Sequence, residues 1–488
     1  MWFIAHLNND DEIKEILKSN YGIRNPDYLS VITEVANGNI RLAILAGLRA
    51  IESGFAAIRR AEDIFKNYYG PIIGKVGLDQ SELMYLCLIA LSRSVIYKQD
   101  SFFQKLKCKY ASSINEDETL EKLYNREIVD WYEKTIAKIS DQSFGNYILY
   151  HVIYEKKWID LSFLIVKMIP DRCEKIFYVL NTLTNLFHTD EMEAFIEENV
   201  NKAWTQAGGN MEKYYVESFF SINQVKSLLY LKKYIEQEKK VGFDLKEYNI
   251  ESNLNNNSVS TKEIDILTKY KRTEHFKDAI DLLLILYAKR PDLFMDFFFA
   301  IKNNIMFDRY SYYDRYSTET VFLNHIWASC KNGQNFNNTL LYLNIVKEFL
   351  KTEFTISGPV RGKKFSWGRM GIVVCDEIKS LRNNIWNSLN ILYDNPEYHD
   401  FVLNLMSNVR INCLEAKDRI ELYQSDFDTI YKIFAKKETL NFDDTLILAH
   451  FKEVFSLCRC FYGHICRFYL TLKIKQRFFR TFRIGFIR

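Results

Sequence analysis

The chain has 488 residues with 48% hydrophobic and 15% aromatic side chains, enough for a large buried core in several domains or in one solenoid. Six prolines and 18 glycines are few for this length, so the composition favours long helices over β-sandwiches and β-barrels. The formal net charge is +3, but eight basic and no acidic residues lie from Cys458 onward, so the rest of the chain is mildly acidic and its composition does not indicate general nucleic-acid binding.

Cysteine spacing and hydropathy exclude further classes of protein. The nine cysteines form no Cys-x-x-Cys pair, which is typical of a reducing cytosol and not of a disulfide framework. Residues 1–6 lack the basic region and the long apolar core of a signal peptide. The longest apolar runs, such as 84–91 and 282–287, are far shorter than the roughly 20 residues of a membrane span. We therefore expect a cytoplasmic protein that does not span a membrane.

The stretch over residues 1–53 contains the first pattern that points to chemistry. It predicts two helices, over 10–19 and 27–36, and a third from about residue 42. Between the second and the third, residues 38–43 read Gly-Asn-Ile-Arg-Leu-Ala. Gly38 can end a helix because glycine tolerates a positive φ angle, and Asn39 can cap the next one. Arg41 then lies in the first turn, where an arginine can meet an anion across a domain boundary.

Residues 38–43 resemble the Gly-Asn-Pro-Arg-Leu-Ala motif in the lid of STAND NTPases, especially the bacterial antiviral (Avs-like) group. In that family the motif closes the nucleotide-binding module, and a helical sensor region follows. The resemblance implies that residues 1–53 are the remnant of an NTPase lid or winged-helix module. It also implies that Asn39 and Arg41 lie near the nucleotide in a complete family member, which would use ATP and Mg²⁺. Ile40 replaces the family's proline, and a plain helix–glycine–helix junction is the alternative interpretation.

Two stretches imitate the phosphate-binding loop that lies upstream of the lid in this family. Residues 70–76 and 358–364 each contain a Gly-Lys step, but only three residues separate their glycines. Val76 and Lys364 stand where a Walker A loop needs Ser or Thr to bind Mg²⁺. We interpret both stretches as unrelated to nucleotides and expect no cofactor and no ATP hydrolysis in this chain alone. A remnant, a fragment and half of a split system all remain open.

Residues 54–248 change to a succession of helices with short connections, in which apolar residues recur at i, i+3, i+4 and i+7. One apolar stripe predicts a helix over 120–139; its members are Ile128, Trp131, Tyr132, Ile136 and Ile139. No strict repeat consensus is visible. We therefore predict an all-α fold, a degenerate TPR-like helical-repeat solenoid. Residues 249–260 are rich in asparagine and serine and predict a polar linker that divides the helical region.

The second helical region, residues 261–457, contains a predicted β-hairpin near 351–374 and one segment without any period. This segment, residues 306–316, has four tyrosines and two Asp-Arg steps. Tyr and Arg give protein interfaces large, hydrogen-bonding contact areas. The candidate partner-binding residues are Asp308, Arg309, Tyr310, Tyr312, Tyr313 and Arg315. The alternative is an internal clasp in which Asp308 and Arg309 pair with neighbouring helices.

Three landmarks in this region resemble, in the same order, the C-terminal part of the Avs-like proteins. They are residues 307–311 (Phe-Asp-Arg-Tyr-Ser), residues 352–354 (Thr-Glu-Phe) after Phe349-Leu350, and Leu381-Arg382 with Ile385-Trp386. In that family the region is a helical-repeat sensor that recognises a phage protein, and recognition drives oligomerisation and an effector domain. The resemblance implies that this chain is the protein-recognition part of a STAND-type antiphage defence NTPase, with a phage protein as partner and a homo-oligomer in a complete family member.

No motif predicts a catalytic or metal site. Four possible metal ligands fall within nine residues, at Cys458, Cys460, His464 and Cys466, but this spacing leaves too little chain to wrap a tetrahedral ion. The tail over residues 458–488 alternates phenylalanines with arginines. It offers an alternative function, a helical scaffold associated with a membrane surface or with nucleic acid. Its abrupt change in composition also allows the tail to be non-native.

Overall fold

The computed structural model describes residues 10–36, 38–54, 61–187, 189–246, 261–360, 364–407 and 417–461. These residues form 21 α-helices and two small antiparallel sheets. The chain divides into two compact units, Met1–Asn223 and Gln224–Arg488. Within each unit, helices that follow one another in the sequence pack together. The prediction of an all-α, degenerate helical-repeat solenoid with a small β-hairpin is therefore confirmed.

The described elements of the first unit follow in chain order. They are α1 (Asp10–Tyr21), α2 (Pro26–Ala36), α3 (Ile40–Ser53), α4 (Ala61–Val76), α5 (Gln80–Ser92), β1 (Ser94–Ile96), α6 (Ser101–Tyr110), α7 (Glu116–Asn125), β2 (Val129–Tyr132), β3 (Ile136–Ile139), α8 (Gln142–Leu149), a π-helix (Tyr150–Glu155), α9 (Leu161–Leu186), α10 (Asp190–Ala207), a 3₁₀ turn (Gly209–Met211) and α11 (Glu212–Phe219).

The core of the first unit is built around α5. Its N-terminus has a capping box, in which Asp79 accepts from the Glu82 amide and Glu82 accepts from the Asp79 amide. Residues 85–92 are all buried, and the helix packs against α6, α8 and β3. A helix that is apolar on most sides is stable only inside a core, which here is formed with α6, α8, α9 and the strands β1 and β3.

The prediction of a single helix over 120–139 is wrong. Helix α7 ends at Asn125, and the chain then forms β2 and β3, which pair antiparallel from Val129↔Ile139 to Tyr132↔Ile136. Glu133 and Lys134 reverse the chain, with φ angles of 47° and 52°. Short runs of β-branched and aromatic residues fit a strand as well as a helix, and here the pleated pairing buries Val129, Ala137 and Ile139. With β1 at the other edge of β3, these strands form a sheet that the sequence did not predict.

The described elements of the second unit also follow in chain order. They are α12 (Gln224–Gln237), α13 (Lys262–Thr268), α14 (Phe276–Lys289), a 3₁₀ turn (Pro291–Leu293), α15 (Phe294–Asn304), α16 (Ser317–Cys330), a 3₁₀ turn (Lys331–Gly333), α17 (Phe336–Phe349), β4 (Glu353–Val360), β5 (Lys364–Gly371), α18 (Asp376–Tyr393), α19 (His399–Ser407), α20 (Lys417–Phe434) and α21 (Phe442–Phe461).

Strands β4 and β5 pair antiparallel from Glu353↔Gly371 to Val360↔Lys364, which is the predicted hairpin. The units divide between Asn223 and Gln224, ahead of the predicted linker, and residues 249–260 lie outside the described residues. The boundary lies there because α12 forms hydrogen bonds within the second unit. The Lys289 ammonium donates to carbonyl oxygens of residues 235, 236 and 238, at 2.7 to 3.1 Å. Among the described residues, no helix is long and apolar enough to cross a membrane.

A buried ion pair joins α18 to α20. The Arg382 guanidinium donates through Nε to the two carboxylate oxygens of Asp426 at 3.0 and 3.1 Å, and both side chains are fully buried. Trp386 Nε1 donates to the same carboxylate at 2.9 Å, and Arg382 Nη1 donates to the Phe349 carbonyl at 3.3 Å. Buried charges persist only when they are paired and hydrogen-bonded, so this cluster fixes α17, α18 and α20 in one arrangement.

We predict that Asp426→Ala lowers the free energy of unfolding by about 3–5 kcal/mol, because it leaves the Arg382 charge buried without a counter-ion. The matched control is Glu421→Gln, which removes an exposed ion pair with Lys379 between the same two helices. Exposed pairs contribute roughly 0–1 kcal/mol. Guanidinium titrations followed by circular dichroism measure both values. Equal losses in the two variants would contradict the structural role of the buried pair.

Candidate functional site

Residues 306–316, named here the tyrosine loop, connect α15 to α16. Consecutive turns replace regular secondary structure. The amide of Ser311 donates to the Asp308 carbonyl at 3.1 Å, that of Tyr313 to the Tyr310 carbonyl at 2.9 Å, and that of Tyr316 to the Ser311 carbonyl at 2.8 Å. Arg315 and Tyr316 adopt positive φ angles of 52° and 56°, which side chains other than glycine adopt at some cost. Tertiary contacts therefore have to hold this conformation.

One arginine from a neighbouring segment binds both aspartates of the loop. The Arg272 guanidinium donates to the two Asp308 carboxylate oxygens at 2.7 and 2.8 Å. Its Nε donates to Asp314 Oδ2 at 2.8 Å. A two-pronged contact between guanidinium and carboxylate fixes direction as well as distance. Arg272 therefore ties together the two Asp-Arg steps that stood out in the sequence.

A buried ion pair lies beneath these contacts. The Lys271 ammonium lies 2.8 Å from Glu319 Oε1 and 3.1 Å from Asp308 Oδ2, and the Glu319 side chain is fully buried. The Ser311 hydroxyl donates to Glu319 Oε1 at 2.6 Å and accepts from the Asp308 amide at 2.9 Å. We name these six residues the anchor network: Lys271, Arg272, Asp308, Ser311, Asp314 and Glu319. The network connects the loop to α16 and to the segment after α13.

The two ends of the loop are fixed by aromatic side chains. The Phe307 ring lies 4.9 Å from the Phe349 ring and 6.3 Å from the Phe354 ring, measured between centroids. The Tyr316 hydroxyl donates to the Val373 carbonyl at 2.8 Å and accepts from the Val373 amide at 3.1 Å. Burial raises the pKa of Tyr316, so the hydroxyl remains a donor at neutral pH. The three sequence landmarks meet here, because Arg382 binds the Phe349 carbonyl.

Of the six remaining side chains of the loop, Met306 is half-buried and five are exposed. We name these five the outer surface: Arg309, Tyr310, Tyr312, Tyr313 and Arg315. The three tyrosines are 56%, 46% and 80% exposed. The Arg309 guanidinium lies 5.6 Å from the Tyr310 ring centroid, and Arg315 Nη1 lies 3.3 Å from Glu377 on α18. Of the six candidate partner-binding residues, Asp308 is therefore part of an internal clasp, and the other five lie where a partner can reach them.

The lid-like residues 38–43 form the junction of α2 and α3. Gly38 has a φ angle of 86°, and Asn39 Oδ1 accepts from the amides of Arg41 and Leu42 at 3.0 and 3.1 Å. The predicted cap is thus present. Asn39 Nδ2 also donates to Asp141 Oδ2 at 2.8 Å and to the Tyr69 hydroxyl at 3.1 Å. These contacts use the full hydrogen-bonding capacity of the amide. Arg41 is exposed, and its proximity to a nucleotide stays a prediction.

Sequence reasoning missed the residues that position the loop. Lys271 and Arg272 lie about 40 positions before their partners, and no local pattern connects them. Tyr69 and Asp141, which hold Asn39, lie 30 and 102 positions after it. The only sequence signal for these partners is the charge of the two aspartates. Aspartates in an aromatic, half-buried segment need cationic partners.

Other motifs of the sequence have ordinary positions. Residues 70–76 lie inside α4, and residues 358–364 lie around the tip of the β4–β5 hairpin, whose residues 361–363 are outside the described part. Within the described residues, no group of three or more His, Cys, Asp or Glu side chains is arranged to hold a metal ion. The tail from residue 462 onward, including His464 and Cys466, lies outside them.

Comparisons of the chain with protein-family models, with curated proteins and with solved structures find no match. The case for a function therefore depends on the chain's own residues and on the sequence resemblances described above.

The anchor network predicts a pH-dependent stability. Partial burial acts to raise the pKa of Asp308, but hydrogen bonds from Arg272 and the Tyr310 amide, with the charge of Lys271, lower it well below its usual value. The stability that this carboxylate contributes is thus present above its unfolded pKa of about 4 and is lost as the pH falls further. We predict that Asp308→Asn costs about 1–2 kcal/mol at neutral pH, a modest value because the side chain is partly exposed.

Urea titrations at pH 7 and near pH 3 measure this difference, which should shrink at the lower pH because Asp308 is then protonated in the unfolded wild type while it stays ionised in the folded one. Asp400→Asn, at an exposed position on α19, is the matched control and should change stability by well under half as much. A loss in Asp308→Asn that is as small as in the control at neutral pH would show that the network does not support the fold.

Proposed function

We propose that this chain recognises a protein partner through the outer surface of the tyrosine loop, as the sensor part of a STAND-type antiphage defence NTPase. One observation carries the recognition proposal. The loop turns its charged and hydroxyl anchors inward and leaves three tyrosines and two arginines exposed side by side. The contacts that hold this irregular loop in one conformation are consistent with a binding surface that needs a fixed shape.

The composition of the outer surface suits a protein partner. Tyrosine and arginine dominate the binding energy of many protein interfaces, and tyrosine loses little conformational entropy on binding because it has only two side-chain torsions. Arg309 and Arg315 carry positive charge, so we expect a partner face that offers carboxylates beside a flat apolar area. The anchor network supports tight binding, because a loop that is ordered beforehand does not lose that entropy on association.

The biological setting in this proposal comes from the sequence. Residues 38–43 resemble the STAND lid motif, and the landmarks around Phe307, Phe349 and Arg382 resemble the Avs-like sensor region. These landmark residues pack together in the second unit, which supports a common structural role. On this basis the expected partner is a phage protein, and a complete family member would add the ATP- and Mg²⁺-binding core and oligomerise. The alternative scaffold function depends on the basic tail from residue 458 and stays a prediction.

The proposal predicts which substitutions abolish partner binding. The chain is expressed with individual phage proteins, and a partner that co-purifies is measured by biolayer interferometry. The double variant Tyr310→Ala, Tyr313→Ala should weaken binding by about 1,000-fold, because each interface tyrosine contributes about 2 kcal/mol, and its thermal stability should remain that of the wild type. The matched control is Tyr124→Ala, Tyr132→Ala, two tyrosines of the first unit that are each 52% exposed. Equal binding by both double variants would refute the proposed surface.

Removal of residues 462–488 separates this proposal from the scaffold function. If the tyrosine loop binds the partner, the shortened chain binds the phage protein with an unchanged Kd. If the tail is the attachment site, the shortened chain loses binding and the tyrosine variants keep it. Interferometry with the same immobilised partner gives both values.

A further inference from the structure

The first unit contains a polar cavity whose lining includes no residue of the lid-like motif or of the tyrosine loop. Its volume is about 720 Å³, within the roughly 300–1,000 Å³ of small-molecule sites. Helices α2, α8 and α9 and the edge of the three-stranded sheet form its walls. Polar side chains make up most of the lining, whereas an apolar ligand would need an apolar wall.

Two cations face this cavity from the sheet. Ser94 of β1 and Lys138 of β3 are direct cross-strand partners, so their side chains lie on one face. The opposite face is turned to the core, since Val95 and Ala137 are buried. Arg93 immediately precedes β1, and its guanidinium lies 3.9 Å from the Tyr178 ring centroid, which holds it at the cavity wall.

Within the described residues, neither Arg93 nor Lys138 has a carboxylate within ion-pair distance. Asp130, the other cross-strand neighbour of Lys138, instead accepts from the Ser140 hydroxyl at 2.8 Å. In the described lining, Glu34 on α2 is the single acidic residue. Among the described lining residues, two cations outnumber one acid, which favours an anionic ligand.

The α8 and α9 part of the lining consists of neutral amides and hydroxyls. Gln142 Nε2 donates to the Tyr178 hydroxyl at 2.6 Å, and that hydroxyl donates to Asn146 Oδ1 at 2.6 Å. This network orients the groups before any ligand enters. Asn181 and Asn185 follow Tyr178 along one face of α9, at spacings of three and four residues. Side-chain amides both donate and accept, which matches the hydroxyl groups of a sugar.

We propose that this cavity binds a sugar phosphate, with the phosphate at Arg93 and Lys138 and the sugar hydroxyls along the amide wall of α8 and α9. The proposal is independent of partner recognition, because the cavity lies in the first unit and the tyrosine loop in the second. The backbone of Arg93 has a positive φ angle of 61°, which is strained for a residue other than glycine. The strain therefore lies at the residue that would bind the phosphate.

Isothermal titration calorimetry of the full chain tests the proposal. The probes are ribose 5-phosphate and glucose 6-phosphate, with the free sugars and inorganic phosphate as references. We expect at least one sugar phosphate to bind more than tenfold tighter than its free sugar and than inorganic phosphate. Lys138→Gln should weaken that binding about tenfold, which is what one charge-assisted hydrogen bond contributes. Lys156→Gln, at an exposed lysine outside the lining, is the matched control and should bind as the wild type does.

Three results would overturn the assignment. The first is the absence of binding heat for both sugar phosphates. The second is equal affinity for inorganic phosphate and the sugar phosphates, because the amide wall then contributes nothing. The third is wild-type affinity in Lys138→Gln and in a second variant, Arg93→Gln. Circular dichroism identifies a variant that fails to fold, and the other of the two then decides.

Discussion

The second unit depends on the pairing of buried charge around the tyrosine loop. Lys271 and Arg272 enter from one side, and Asp308, Asp314 and Glu319 meet them from the other. Lys271 and Glu319 are buried, and a buried carboxylate without a partner costs several kcal/mol, so these two groups stay paired; Arg272, Asp308 and Asp314 are partly exposed and add smaller contributions. The network therefore gives eleven residues without helix or strand one defined conformation, and it holds α16 against the segment that follows α13.

The separation of inward and outward side chains explains how the proposed recognition surface can be both irregular and rigid. The inward side chains stabilise the loop, and the outward side chains are free to contact a partner. The sequence landmarks fall mostly on the inward side, because Phe307, Phe349 and Arg382 form part of the core. In the proposed sensor, these residues maintain the architecture, while the exposed tyrosines and arginines determine which partner is recognised.

The elements that depend on local periodicity were predictable from the sequence. Helix α2, predicted over 27–36, and the β4–β5 hairpin follow directly from apolar spacing and turn residues. The stripe over 128–139 was misread because β-branched and aromatic residues fit both helical and strand spacing, and long-range pairing with β1 decided the outcome. The exposed residues of the tyrosine loop were predictable from their chemistry. Their anchors were not, since Arg272 and Asp314 are 42 residues apart and only the folded chain brings them together.

The central claim is that the tyrosine loop is held rigid in the free protein by the anchor network. Hydrogen–deuterium exchange of residues 306–316 tests it most directly, in the wild type and in Asp308→Asn. The structure predicts that the amides of Ser311, Tyr313 and Tyr316, which are bonded to carbonyls within the loop, exchange as slowly in the wild type as those of α16, and become fast in the variant. Fast exchange of these amides in the wild type would contradict the account, because the outer surface would then be a flexible loop without a fixed shape.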